Sequence, residues 1–238
     1  MLGKLVILGK KGKDEGEKPF WISFADLMSA LMVLFLLVMS VALLAVTSNV
    51  TEAERKQAER KQEIDQLLNK IEQAAKQFPG ISLDRNRNVI DFGDRARFDT
   101  GSSKLTNEQA EYLTLFVLEI LPIASEDLGK KWLKSIVAEG FADQRGDYLL
   151  NLNLSLQRSQ RVLCILLDPP PALGRVLTAA EMEQAHDLFF VGGYSFNSVK
   201  KSLEESRRIE LRLDFFSVDE IHPEDGEFPH DTFGKCRI

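Results

Sequence analysis

Neither glycine nor proline occurs between Pro19 and Pro79 of this 238-residue chain. Glycine and proline are the residues that most readily interrupt a helix, so their absence predicts one continuous helix of about 85–90 Å. Residues 20–46, near its start, contain a single charged side chain, Asp26. This apolar run is long enough to cross a bilayer core of about 30 Å.

Residues that carry common enzyme chemistry are also scarce. The histidines, His186, His222 and His230, lack metal-ligand spacing, and the sequence contains neither a Ser/His/Asp set nor a nucleotide-binding motif. The net charge of −6 is spread along the chain without a long basic block after residue 20, which is atypical of nucleic-acid binding. We therefore expect no enzymatic turnover, no cofactor and no nucleic-acid partner.

The apolar run has two interpretations. A cleavable signal peptide has an apolar region of about 7–15 residues that ends in small residues, whereas this run is longer and follows an 18-residue head. An uncleaved anchor is therefore favoured, with residues 1–18 as a cytoplasmic tail and residues 19–46 as the transmembrane helix. Lysines precede the run closely and the next basic residues follow at greater distance, which mildly favours a cytoplasmic N-terminus.

Residues 47–79 are predicted to form a periplasmic helical linker, highly charged except for a narrow apolar seam. The seam consists of Ile64, Leu67, Leu68, Ile71, Ala75 and Phe78. A seam of this width suits pairing with a second copy or packing on a partner. A partly frayed polar stalk is the alternative for residues 51–63.

From residue 80 onward short strands alternate with helices, which predicts an α+β chain whose domain at 80–216 is an α/β sandwich. The predicted strands are Asn88–Phe92, Ser135–Gly140, Leu188–Val191 and Ile209–Phe216. The predicted helices are Thr106–Leu121, Tyr148–Leu167 and a short one opened by a Thr178/Glu181 capping box. A polar tail at 217–238 ends the chain. Two interpretations of its Cys236 and of Cys164 stay open: a disulfide that pins the tail, or a buried free thiol at Cys164.

Asp26 is the candidate ion carrier. A carboxylate inside a membrane helix costs about 2.5–3.5 kcal/mol at the helix centre by insertion scales, and such residues commonly mark ion pathways. An interfacial carboxylate that reaches the headgroups is the alternative, because Asp26 lies near one end of the run. Its small neighbours Ser23, Ser29 and Ala30 allow another helix to approach closely.

The segment around Asp26, FWISFADLMSALM at residues 20–32, resembles the membrane signature of the MotB family of stator B subunits. The resemblance implies that Asp26 carries a transported proton or sodium ion. It also implies that two B subunits, as a homodimer, sit inside a ring of five MotA-like A subunits. The location implied is the bacterial inner membrane, crossed once, with the C-terminal domain in the periplasm.

A second motif comprises GFADQRG at residues 140–146, then Asn151, Leu154, Ser155 and Arg158, and later Ser206, Arg207 and Arg208. It resembles the OmpA-like peptidoglycan-binding domain. The diaminopimelate of the peptidoglycan stem peptide ends in an ammonium and a carboxylate; Asp143 can accept the first and Arg158 can clamp the second. The resemblance adds Asn151, Leu154 and Arg207 to this site. An ion pair between Asp143 and Arg158 within the domain is the alternative.

This motif departs from the family at the positions before the aspartate. The family usually has a histidine and a threonine there, where this chain has Phe141 and Ala142, and Ser206 replaces an asparagine before the arginine pair. The loss of these polar groups predicts weaker or altered ligand binding.

A third resemblance extends along nearly the whole chain, at residues 17–23, 130–132, 136–141, 152–159, 192–197 and 206–213. These segments resemble the B subunits of the Zorya anti-phage defence system. The resemblance implies a complex with the MotA-like partner ZorA, five A to two B, that is anchored to peptidoglycan and uses ion flow to signal infection. A flagellar MotB-type stator subunit and a passive cell-wall tether without ion transport are the alternatives.

Overall fold

The computed structural model describes residues 18–221 and 233–237. The chain divides into two compact units, residues 1–56 and residues 57–238. The predicted cytoplasmic tail lies outside the described residues except for Lys18, and so does the part of the C-terminal tail that contains His222 and His230.

The predicted long helix is confirmed as α1, Lys18–Lys76. In the first unit its described side chains are all exposed, as expected where lipid is to surround a helix. The polar side chains of the apolar run are partly satisfied within the helix itself: the Ser29 hydroxyl donates to the Ala25 carbonyl at 2.8 Å and the Ser40 hydroxyl to the Leu36 carbonyl at 2.7 Å. Among the described residues, α1 alone is long and apolar enough to cross a membrane.

The second unit contains a five-stranded mixed sheet. Its strands are β1 Ser82–Asp84, β2 Val89–Asp91, β3 Leu133–Gly140, β4 Phe189–Gly193 and β5 Ile209–Phe215. They lie in the order β1-β2-β5-β3-β4. Every neighbouring pair is antiparallel except β3 and β4, which are parallel and therefore require a crossover connection. The α+β fold class predicted from the sequence is thus confirmed.

Helices supply that crossover and the covering layer. They are α2 Asn107–Ser125, α3 Asp127–Trp132, α4 Tyr148–Leu167, α5 Ala179–Leu188 and the single turn α6 Leu203–Ser206. The bounds of α4 and the Thr178/Glu181 capping box at α5 are as predicted. α2 continues past its predicted end because Pro122 is accommodated inside the helix. Neither β1 nor α3 was predicted from the sequence, since each is too short for a periodic pattern.

Two glycines in register let α4 cross close to the ends of the parallel strands. Gly140 of β3 pairs with Gly193 of β4. A Cβ at Gly140 would lie 1.9 Å from the Ser155 carbonyl oxygen, and one at Gly193 would lie 2.6 Å from Cγ of Leu156. Only glycine permits this approach, which places α4 beside the loop that leaves β3.

The apolar seam of α1 packs on the C-terminal domain of its own chain. Its buried members join the main core, and Phe78 makes edge-on ring contacts with Tyr112 and Phe116 at centroid distances of 5.5 and 5.4 Å. The expectation that the seam pairs with a second copy or a partner is therefore corrected, because a surface within the same chain covers it. The predicted linker, 47–79, is in large part a wall of the compact unit that begins at Gln57.

Polar contacts hold the same stretch of α1 in place. The Glu63 carboxylate accepts hydrogen bonds from the Trp132 indole at 2.6 Å and from Lys131 at 2.5 Å. The Arg60 guanidinium donates to the Phe216 carbonyl at 2.7 Å. These long-range bonds show that residues 60–63 are an ordered helix, not the frayed stalk that the sequence left open.

The end of the described chain is attached to α4. Cys164 and Cys236 are joined by a disulfide bond with a Cα–Cα distance of 5.7 Å. The backbone N–H of Cys236 also donates to the Asp168 carboxylate at 2.8 Å. Of the two interpretations of these cysteines, the structure contains the one in which a bridge pins the tail.

Replacing Ile71 by alanine tests the packing of the seam. Ile71 is fully buried, so the Ile71→Ala variant is expected to lower the free energy of unfolding by about 2–5 kcal/mol. The exposed Gln66 on the same helix provides the control, since Gln66→Ala is expected to change it by no more than about 0.5 kcal/mol. Chemical denaturation of the full chain in detergent measures both; equal, small effects would contradict the intrachain packing.

Candidate functional site

The five residues predicted for the C-terminal site line one pocket of about 290 Å³. The complete lining is Thr100, Gly101, Asp143, Arg145, Leu150, Asn151, Asn153, Leu154, Gln157, Arg158 and Arg207. Asp26 belongs to the other unit and lies exposed on α1. The sequence therefore identified two separate candidate sites, and the fold gathers the members of the second.

Helix α4 presents one face to the pocket. Asn151, Leu154 and Arg158 are three and four residues apart, so they lie on the same side of the helix. Asp143 arrives from the loop that follows β3, which α4 approaches closely through the glycine pair. This arrangement explains how residues 15 positions apart in sequence, Asp143 and Arg158, reach a common cavity.

Asp143 is a buried carboxylate surrounded by arginine donors. Its Oδ1 accepts from the backbone N–H and from Nε of Arg145 at 3.0 and 3.2 Å. Its Oδ2 accepts from Nη2 of Arg145 at 2.6 Å and from Nη1 of Arg207 at 3.1 Å. The Arg145 side chain, followed by the Arg145 backbone N–H and Arg207, holds the pKa of Asp143 well below its usual range against the opposing effect of burial.

Arg158 is a fully buried arginine that bonds to three carbonyls from two backbone segments. Its Nε donates to the Ser102 carbonyl at 2.9 Å, Nη1 to the Phe141 carbonyl at 2.7 Å and Nη2 to the Asp99 carbonyl at 3.2 Å. Burial, with the charge of Arg207 adding to it, lowers the pKa of Arg158 to about 10, so the side chain is cationic at neutral pH. The ion pair with Asp143 that the sequence suggested is thus replaced: Asp143 pairs with Arg145 and Arg207, and Arg158 bonds to the backbone.

Arg207 and Asn151 support the pocket from its two sides. Arg207 donates from Nε to the Phe98 carbonyl at 2.8 Å while its Nη1 contacts Asp143. Asn151 donates from Nδ2 to the carbonyl of Arg145 at 2.8 Å and so holds the loop that carries the acid. Leu154 contributes a half-buried apolar wall.

The two unusual residues before Asp143 point away from the pocket. Phe141 and Ala142 are 3% and 1% exposed and do not belong to the pocket lining. The Phe141 ring stacks on Tyr194 at 5.4 Å, and the guanidinium carbon of Arg208 lies 4.0 Å from its centroid. These substitutions change the packing beneath the pocket and leave the chemistry of its lining to other residues.

Sequence reasoning missed Arg145, which makes more contacts with Asp143 than any other residue described. Its Nη2 also donates to the Thr100 hydroxyl at 2.9 Å. The local signal was available, because a residue two positions after an aspartate often donates its backbone N–H to that carboxylate. Thr100 could not have been found this way, since it comes from a distant loop.

The depressed pKa of Asp143 predicts a pH dependence of stability. A carboxylate with a lowered pKa in the folded state stabilises the fold above the unfolded-state pKa of about 3.9, and this contribution is lost as the pH falls below that value. The difference in unfolding free energy between the unmodified chain and Asp143→Asn is therefore expected to shrink between pH 7 and pH 3. Denaturant titrations at both pH values measure it, with Asp65→Asn on the exposed face of α1 as the control. A difference that stays constant would show that the ion pairs of Asp143 do not stabilise the domain.

Comparison with known proteins finds similar proteins for both parts of the chain. A family model described as the membrane MotB of the proton-channel complex MotA/MotB matches residues 9–59. Similar solved structures include the periplasmic domain of Helicobacter pylori MotB, with 16% identity, 61% of this chain and 86% of that chain covered, and a TM-score of 0.40. The OmpA-like domain of FopA1 from Francisella tularensis has 15% identity, covers 58% of this chain and 82% of that one, and has a TM-score of 0.34.

A curated relative matches over a much larger part of the chain. The Zorya protein ZorB of Escherichia coli O139:H28 (strain E24377A / ETEC) is 44% identical over 219 residues, which cover 92% of this chain and 89% of that protein. Identity at this level over both units, together with the MotB match at the membrane helix, shows the family. The chain belongs to the ZorB family of MotB-like stator B subunits.

Proposed function

We propose that this chain is the B subunit of a peptidoglycan-anchored, ion-driven inner-membrane complex of a Zorya anti-phage defence system, and that Asp26 carries the ion. One observation carries the proposal. Asp26 is the single charged residue of the apolar run 20–46, and it lies inside the segment that matches the MotB family model.

The chemistry at Asp26 follows from its surroundings. Hydrocarbon solvates a carboxylate poorly, so a proton or sodium ion that neutralises Asp26 makes the helix more compatible with the membrane. Binding the ion from the periplasmic side and releasing it to the cytoplasm alternates the side chain between neutral and charged forms. Each form makes different contacts with the surrounding A subunits, and this difference can drive their movement.

The proposed partners follow from the family. A homodimer of this chain sits within a pentamer of MotA-like ZorA subunits, five A to two B. The N-terminus is in the cytoplasm and the C-terminal domain is in the periplasm. Fixing the dimer to the cell wall holds it against torque, so the A ring turns around it and passes the signal of infection to the cytoplasm.

The pocket supports the proposed attachment to peptidoglycan. Asp143 and the three arginines Arg145, Arg158 and Arg207 give it one negative and three positive charges, which suits a ligand that carries one ammonium and several carboxylates. Of the five N–H groups of Arg158, three donate to backbone carbonyls. The remaining two, one on each Nη, are the donors that we assign to the diaminopimelate carboxylate.

Two other functions share parts of this chemistry. A flagellar stator subunit would also transport ions but would drive motility instead of phage defence. Testing whether the chain restores motility or protects against phage distinguishes these two functions. A passive tether would bind the cell wall through the same pocket but would not transport ions. Measuring ion flux through the assembled complex distinguishes it from the proposed function. The 44% identity to ZorB over most of the chain favours the defence function.

Neutralising Asp26 is the first test. The Asp26→Asn variant is expected to assemble with the A subunits but to lose protection against phage, because an amide can neither carry a proton nor balance a sodium ion. Plating efficiency of phage and co-purification of the A subunit measure the two effects. Ser40→Ala is the control in the same run, since its hydroxyl donates to the Leu36 carbonyl one turn earlier in the same helix. Full protection by Asp26→Asn would contradict the proposed transport mechanism.

Wall binding is tested at Asp143. The Asp143→Asn variant is expected to lose sedimentation with purified peptidoglycan, because the amide cannot bind the ligand ammonium with a full charge. Asp94→Asn, on an exposed side chain outside the pocket, is the control. Arg158→Ala is unsuitable, since it removes the donors of three backbone carbonyls, at Asp99, Ser102 and Phe141, and disturbs the fold. Unchanged sedimentation of Asp143→Asn would leave Asp143 with a purely structural role.

A further inference from the structure

Every acceptor position of Asp143 is already occupied by the chain itself. A carboxylate has about four lone-pair positions. Arg145 fills three of them, through its backbone N–H, Nε and Nη2, and Arg207 fills the fourth. A ligand ammonium can reach Asp143 only by taking the place of one of these donors.

The donors differ in how easily they can leave. The backbone N–H of Arg145 is part of the turn, and the Arg207 side chain is 12% exposed and also bonded to Phe98. The Arg145 side chain is 51% exposed, and its second partner is the exposed hydroxyl of Thr100. It can therefore swing into solvent and recover its hydrogen bonds from water, whereas the others cannot.

We propose that the Arg145 side chain is an internal competitor that occupies the ammonium subsite of the wall-binding pocket and sets its affinity. Its guanidinium mimics the ligand's cation at Asp143 and spans the pocket from Asp143 to Thr100. This inference rests on the proposed function of the pocket. It makes Arg145 a residue whose removal strengthens binding, in contrast to Asp143, whose removal abolishes it.

Electrostatics sharpens the expectation. Peptidoglycan stem peptides carry several carboxylates, so the loss of a positive charge from the protein weakens non-specific attraction to them. An arginine that contacts the ligand's carboxylate directly would also weaken binding when it is removed. Both of these effects would lower the affinity when Arg145 is removed. An increase in affinity therefore identifies competition between Arg145 and the ligand.

The size of the effect is bounded by the strength of exposed ion pairs. Such pairs contribute a factor of about 1.4 to 5 in an equilibrium constant. Because Asp143 is itself buried, the upper part of this range applies. We expect Arg145→Gln to bind the ligand about threefold to fivefold more tightly, and Arg145→Lys, which keeps the charge but loses the fork, to lie between the two.

Isothermal titration of the full chain in detergent tests the proposal, with the tripeptide L-alanyl-γ-D-glutamyl-meso-diaminopimelate as the probe. Arg175→Gln is the matched control, since Arg175 is exposed and lies outside the pocket lining. A second probe carries an acetyl group on the diaminopimelate side-chain amine. The gain of Arg145→Gln is expected with the free amine and absent with the acetylated probe, because only the free ammonium competes for Asp143.

The outcomes separate this inference from the proposed function. Tighter binding by Arg145→Gln and unchanged binding by Arg175→Gln support it. If the unmodified chain binds the tripeptide and Arg145→Gln binds it equally or more weakly, the competitor role of Arg145 is overturned. Peptidoglycan binding by the pocket still stands in that case. Failure of both the unmodified chain and Arg145→Gln to bind the tripeptide overturns the wall-binding function and this inference with it. Denaturation curves confirm that each variant is folded.

Discussion

The burial of the Arg158 charge is the constraint on which the C-terminal domain depends most. A guanidinium removed from water needs acceptors for its N–H groups, and here three backbone carbonyls accept hydrogen bonds from three of the five. These carbonyls belong to the segment at residues 99–102 and to the exit of β3 at Phe141. One side chain of α4 thereby ties together the walls of the pocket, and the residue that builds the pocket also gives it positive charge.

Two other arginines of the pocket, Arg145 and Arg207, determine how its acid behaves. Asp143 is kept ionised by arginines, and its pKa is depressed in spite of burial. An ionised, buried carboxylate is a strong site for a cation, but the same arginines that keep it charged also compete for it. The arginines thus keep Asp143 charged and at the same time block the approach of a ligand cation. The exposed Arg145 is the contact that can open to admit that cation.

The charged residues of the two candidate sites differ in where their partners come from. In the pocket, charges are buried among partners that the domain supplies. In the apolar run, Asp26 lies on the exposed surface of a helix whose neighbouring hydroxyl, Ser29, is satisfied by its own backbone. Under the proposed function the partner of Asp26 comes from the ring of A subunits. This explains why the apolar run itself contains one charged residue without a charged partner of its own.

Much of the architecture could be predicted because it depends on local patterns. The missing glycine and proline predicted α1, capping residues predicted the start of α5, and periodicity predicted the bounds of α4. The candidate residues of the pocket were also found, since resemblance to a motif marks them by type and spacing. The short elements β1 and α3 were not, because three to six residues hold too little periodic information.

Residue types and their spacing were enough to show that one carboxylate lies in a membrane-length apolar run, and that an acid after a β-strand and an arginine on the following helix could share a site. The groups that these side chains contact depend on how the folded elements pack together. That packing turned the seam of α1 inward onto its own domain, turned Phe141 beneath the pocket, and paired Asp143 with Arg145 and Arg207 in place of Arg158. The reason is physical: spacing along the chain defines which face of an element a residue occupies, but the partner across that face is set by how the elements pack.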